Sequence, residues 1–167
     1  MNNALKARPT APVDASTIAP IDTSPVEQPP TLAGRYHRTP AIVAAEVVVA
    51  AGLAGTAYIH LEELSGKFAE VPYLGVGYAL LSIACVVSII MIATRNKLGW
   101  YLGGATALAT FVGFVLTRTV GLPASTDDIG NWSESIGTWS LVAEGVVVLA
   151  TAAMIALHFR TPGAATA

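Results

Sequence analysis

The chain has a single cysteine, few charges and none of the short motifs that carry soluble chemistry. Cys85 has no second thiol to meet, which excludes an intramolecular disulfide and a cysteine-rich zinc site. Only 12% of the residues are charged and the formal net charge is −2, so the broad basic field used to hold nucleic acid is missing. There is no Gly-rich phosphate loop, no HExxH pair and no nucleophile set beside a base, so the sequence does not read as an enzyme. With 167 residues there is room for one bundle and a tail, not for an added soluble domain.

What is abundant is apolar length. Hydrophobic residues make up 53% of the chain, and the mean hydropathy is +0.60. Four apolar stretches, about residues 39–61, 73–94, 98–117 and 137–159, each match the thickness of a bilayer. A spanning segment must satisfy its own backbone, and four strands cannot close a barrel, so these are helices. The expected fold is an all-α polytopic membrane protein, an antiparallel up-down bundle of four transmembrane helices within residues 39–160. The connection Arg95-Asn96-Lys97 is short enough to force spans two and three into a hairpin. In span three, Gly99, Gly103 and Ala107 form one row of small residues and Ala105, Ala109 and Gly113 another. Such rows serve close packing inside a bundle or self-association.

Residues 1–38 differ in kind. Pro9, Pro12, Pro20, Pro25, Pro29 and Pro30 are scattered among Ala, Thr and Ser without an apolar period, which predicts a disordered tail. No apolar run follows Lys6 and Arg8, so no signal peptide is read there. Seven of the basic residues, Lys6, Arg8, Arg35, Arg38, Arg95, Lys97 and Arg160, fall on one side of the spans, against Lys67 and Arg118 on the other. The positive-inside rule then predicts a multi-pass protein of the cell (inner or plasma) membrane with both termini cytoplasmic, residues 161–167 forming a second short tail. Arg35, His37 and Arg38 make a small basic cluster suited to anionic headgroups.

The first and last spans each carry a glutamate followed fourteen residues later by a histidine: Glu46 and His60, then Glu144 and His158. Fourteen helical residues come within about 40° of whole turns and rise about 21 Å, so each pair shares a face across most of the hydrocarbon. With the spans antiparallel, Glu46 is expected near the depth of His158, and His60 near that of Glu144, giving two Glu–His layers. Intramembrane ionisable residues are functional candidates, here Glu46, His60, Arg118, Glu144 and His158. Three readings stay open: structural pairing, with Arg118 at a suitable depth to meet Glu144; a path for protons or ions; or a metal site built from His60, Glu62, Glu63 and Glu144. A haem held by both histidines is disfavoured because they lie at opposite depths.

The segment after span three reads as a lid. Gly121 and Pro123 break the helix, and Ser125 or Thr126 followed by Asp127 and Asp128 predicts a short capped helix. The run Arg118-Thr119-Val120-Gly121-Leu122-Pro123, then Asp127-Asp128-Ile129-Gly130-Asn131-Trp132 and Glu144-Gly145, resembles an outer-loop pattern of an uncharacterised actinobacterial family of four-helix integral membrane proteins. A histidine near the end of that family's first span corresponds to His60. The resemblance covers about residues 55–150; it implies a four-helix membrane fold and no activity. The expected function is a non-catalytic accessory or assembly subunit of a membrane complex, partnered by the bilayer and by other membrane subunits or a second copy. A proton- or ion-conducting protein and a metal- or haem-associated, redox-linked protein are the alternatives. No cofactor and no nucleic acid partner is assigned.

Overall fold

Proline sets where the first two long helices begin. In the computed structural model, which describes residues 34–159, α1 runs Pro40–Glu62 behind a Thr39 cap whose hydroxyl accepts the Ile42 N–H at 3.3 Å. Pro40 occupies the first turn, where its missing N–H is not needed. A short helix, α2 (Leu64–Glu70), follows at once, and Pro72 opens α3 (Pro72–Ala93). Then come α4 (Leu98–Thr119) and α5 (Ser135–Met154), the latter continuing into a π-helical turn at Ile155–Phe159. The expected tail over residues 1–33 and the segment 160–167 lie outside the described residues.

The hairpin expected at Arg95-Asn96-Lys97 is present. Arg95 takes a left-handed backbone at φ 62°, the Asn96 N–H reaches back to the Met91 carbonyl at 2.8 Å, and Asn96 Oδ1 accepts the Leu98 N–H at 3.0 Å. One turn therefore ends α3 and caps α4. α1 packs on α3 and α5, and α4 packs on the same two, so the four long helices close a square with antiparallel neighbours. All four are long and apolar enough to cross a bilayer, and the protein is a multi-pass membrane protein with the all-α bundle fold the sequence predicts. The end that carries Gly34 and the α3–α4 hairpin is called the tail end below; the end that carries α2 and the α4–α5 connection is the loop end.

The distribution of side chains is inverted relative to a water-soluble bundle. Val47, Leu80, Ile83, Ile90 and Leu149 point outward, whereas Thr56, Ser82, Ser88, Thr110 and Thr151 are buried. Most of these hydroxyls bond to carbonyls of their own helix, as Ser88 does to Ala84 at 2.7 Å and Thr151 to Val147 at 2.7 Å. Lipid is as apolar as leucine, so association rests on close packing, and glycine permits it. A Cβ on Gly99 would meet the Ile92 backbone nitrogen at 2.8 Å, and one on Gly104 would meet Thr151 Oγ1 at 2.6 Å. The row Gly99, Gly103 and Ala107 is thus interior packing. In the other row Ala105 and Ala109 are exposed and Gly113 faces open space, so that row does not serve the bundle.

These contacts make a stability prediction. Gly99→Ala presses a methyl group on backbone that cannot turn aside and should destabilise by about 1–3 kcal/mol. Gly55→Ala, whose new Cβ meets nothing within 4 Å, should stay within about 0.5 kcal/mol of the parent. Unfolding of micellar protein by a denaturing detergent, followed by tryptophan fluorescence, compares the two.

Candidate functional site

Arg118 organises the loop end. It lies on the last turn of α4, where a cation complements the helix dipole, and is only 5% exposed. Its Nη1 sits 2.8 Å from Asp128 Oδ1, its Nη2 meets Glu134, and its guanidinium lies over the Phe114 ring at 4.7 Å. The Arg118 carbonyl also accepts the Gly130 N–H at 2.9 Å. One residue therefore fixes both halves of the α4–α5 connection. Gly121, at φ +77° and with Ile129 3.0 Å from where a Cβ would stand, lets the chain leave α4 at that angle. Tyr73 at the start of α3 donates to the Pro123 carbonyl at 2.7 Å and ties the connection to the neighbouring span.

Beneath this connection the bundle is hollow. A cavity of about 620 Å³ opens at the loop end and is walled by α3, α4, α5, α2 and the end of α1. Its deepest polar group is Glu144, nine residues inside α5 and 1% exposed. Oε1 accepts the Ser140 hydroxyl at 2.7 Å, while Oε2 is buried with no hydrogen-bond partner. Leu81 and Thr110 line the cavity near this level. One helical turn toward the tail end, Leu53, Cys85, Ala107 and Val147 are all fully buried and close the space. The cavity is a blind vestibule that reaches about halfway through the bundle.

The rim is acidic. Glu62 ends α1, Glu63 joins α1 to α2, and both line the vestibule together with Glu70, Asp128 and Glu134. Lys67 is paired with Glu70 at 3.0 Å. Burial pushes the Glu63 carboxyl above its ordinary value, and the negative charge of Glu134 pushes the same way.

The tail end is built differently. Gly34–Arg38 lies across the ends of the helices: the Lys97 N–H bonds to the Gly34 carbonyl at 3.3 Å, and Tyr36 is buried against Trp100 and Phe159 at ring separations of 6.2 and 5.4 Å. The Tyr36 hydroxyl donates to Glu46 Oε1 at 2.6 Å, with the Ile92 carbonyl at 3.1 Å as a weaker second acceptor. Arg38 Nε lies 2.9 Å from both Glu46 oxygens, and its Nη2 donates to the Ala93 carbonyl at 3.0 Å. Burial, reinforced by the bond to Glu46, pushes the Tyr36 phenol up to about 12. The last residues of the stretch read from sequence as a disordered tail are therefore docked.

No family model, curated protein or solved structure matches this chain.

Several expected pairings give way to others. Glu46 does not meet His158: it is satisfied by Tyr36 and Arg38, while His158 is exposed on the π turn. A π turn rotates the chain less per residue than an α turn, which carries His158 further off the Glu144 face. His60 and Glu144 do line one vestibule but are not bonded to each other. His60 sits two residues from the end of α1, its Nδ1–H donates to the Thr56 carbonyl at 2.8 Å, and its ring stands edge-on to Tyr78 at 4.6 Å. Arg118 holds Asp128 and Glu134, not Glu144, because those two acids fold back over the helix end it occupies. His60, Glu62, Glu63 and Glu144 share the vestibule lining, yet among the described residues no three His, Cys, Asp or Glu side chains converge as metal ligands. The helix expected after Ser125 is replaced by turns, with Leu122 and Ser125 exchanging backbone bonds at 2.9 Å.

Sequence reasoning missed Tyr36 and Ser140. Tyr36 had a signal, being the sole aromatic residue among the first fifty-seven. Ser140 lies four residues before Glu144, one turn along the same helix face.

Two outcomes follow from the ends of the bundle. Tyr36→Phe removes the closest donor to Glu46 and should lower the unfolding free energy by about 1–2 kcal/mol, measured by detergent denaturation. Glu63 binds its proton more tightly in the folded state, so its stabilisation is present below the ordinary carboxyl pKa and is lost as pH rises through the raised value. The melting temperature should fall less between about pH 4.5 and pH 7 in Glu63→Gln than in the parent.

Proposed function

We propose that the protein is a non-catalytic integral membrane protein that receives a small ligand, through its loop end, in the vestibule floored by Glu144. The observation that carries this reading is Glu144, a buried residue lining a cavity open to one side, whose Oε2 has no hydrogen-bond partner. A carboxylate in that position is costly unless something meets it. The cavity volume falls in the range of small-molecule sites, about 300–1,000 Å³. The acidic rim belongs to the outer face of the cell membrane and the basic tail end, with Arg35, Arg38, Arg95 and Lys97, to the cytoplasm. The closed layer at Leu53, Cys85, Ala107 and Val147 gives no support to a continuous proton path, and conduction is not part of the proposal.

A second reading has its own observation. At the tail end Glu46 is met by both Tyr36 and Arg38, which is how a purely structural carboxylate is held. That favours an accessory or assembly subunit for which the vestibule is incidental, and such a subunit co-purifies with a constant partner chain.

The experiment is one of access. In a Cys85→Ala background, Gly113→Cys places a thiol on the vestibule wall where a side chain meets no neighbour. A membrane-impermeant methanethiosulfonate added to intact cells should label Gly113→Cys and leave the lipid-facing Ala105→Cys unlabelled. Labelling only after the membrane is opened, or none at all, would sink the reading.

A further inference from the structure

We infer that the vestibule is a site for an organic ammonium, a protonated amine carried on a small apolar body. The inference rests on the proposed ligand-receiving role of the same cavity and names the chemical class of what enters.

The charge of the lining comes first. Its two cations are already matched, Lys67 by Glu70 and Arg118 by Asp128 and Glu134. Glu62, Glu63 and Glu144 remain among the lining carboxyls, so the space selects for positive charge and against anions. Glu144 supplies the anchor. It is a cavity-lining residue only 1% exposed, Ser140 takes Oε1, and Oε2 is buried with no hydrogen-bond partner. An ammonium supplies the missing donor and neutralises the charge in one contact.

His60 adds a second acceptor. Its Nδ1 must carry the proton, because the atom it faces at 2.8 Å is the Thr56 carbonyl, which only accepts. In the neutral ring Nε2 is then an acceptor, on a side chain that lines the same vestibule.

Shape decides between a bare ion and an organic cation. No three His, Cys, Asp or Glu groups converge among the described residues, so a divalent metal lacks its shell. About 620 Å³ is also far more than a single ion fills, and Ile59, Leu74, Leu81 and Phe114 contribute apolar wall beside the carboxylates. A few polar groups set in apolar surface is the usual lining of a site for a small organic molecule.

The test uses the full chain in phosphatidylcholine nanodiscs at neutral pH, with benzylamine as the cationic probe and benzyl alcohol as its neutral counterpart. Calorimetric titration should show saturable benzylamine binding, about tenfold or more tighter than benzyl alcohol. Glu144→Gln keeps an acceptor for Ser140 and should erase the preference for the amine. Gly113→Leu, which narrows the vestibule from a position with free space, should weaken binding of both probes. Equal affinity for the two probes in the parent, or benzylamine binding unchanged in Glu144→Gln, would overturn the inference. If neither probe binds while Gly113→Cys still labels from outside, the vestibule stands and the ammonium assignment falls; if Gly113→Cys is silent too, both fall.

Discussion

Lipid offers no hydrogen bonds, so every charged side chain among these helices must be answered by the protein itself. The answers come from outside the long helices. Glu46 is met by Tyr36 and Arg38, which precede α1, and Arg118 is met by Asp128 and Glu134, which lie between α4 and α5. Each buried charge thereby fixes the course of an otherwise irregular segment across one end of the bundle. Glu144 departs from this rule, since no charged group is paired with it and its hydrogen bond comes from Ser140 on its own helix.

The two halves of the bundle differ in packing as a result. Toward the tail end the helices approach closely on Gly99 and Gly104, and Trp100, Val49 and Val147 are fully buried. Toward the loop end α1 reaches the shared space only through its last residues, and α2 with the α4–α5 connection roofs a space the helices do not fill. The closed half holds the tight helix contacts, and the open half holds the vestibule.

The bundle was legible because bilayer thickness imposes a length on apolar runs that no soluble fold imitates. The α3–α4 hairpin was legible too, since three polar residues between two spans leave one geometry. Glu46, His60, Arg118, Glu144 and His158 follow from a simple rule about ionisable groups in lipid, and of these His60, Arg118 and Glu144 line one vestibule together with the loop residues Glu62 and Glu63. Their partners were not legible. Helical periodicity places residues on faces of a single helix and says nothing about where a loop folds back, so Arg118 was matched in depth to Glu144 when Asp128 and Glu134 return to it. The His158 register failed because the spacing assumed an α-helix to the end, and the turn at Ile155–Phe159 is wider.

The docked Gly34–Arg38 strap bears on the order in which the chain assembles. Tyr36 rests against Trp100 and Phe159, so the earliest described residues find their places on nearly the latest. During synthesis the strap has no seat until the α3–α4 hairpin has been made, and its aromatic cluster is incomplete until α5 has crossed the membrane. Closure of the tail end is therefore a long-range contact that needs both the α3–α4 hairpin and the end of α5 in place. Until then Glu46 waits in the first span without its Tyr36 contact in place, and the finished cluster is a mark that all four spans have arrived.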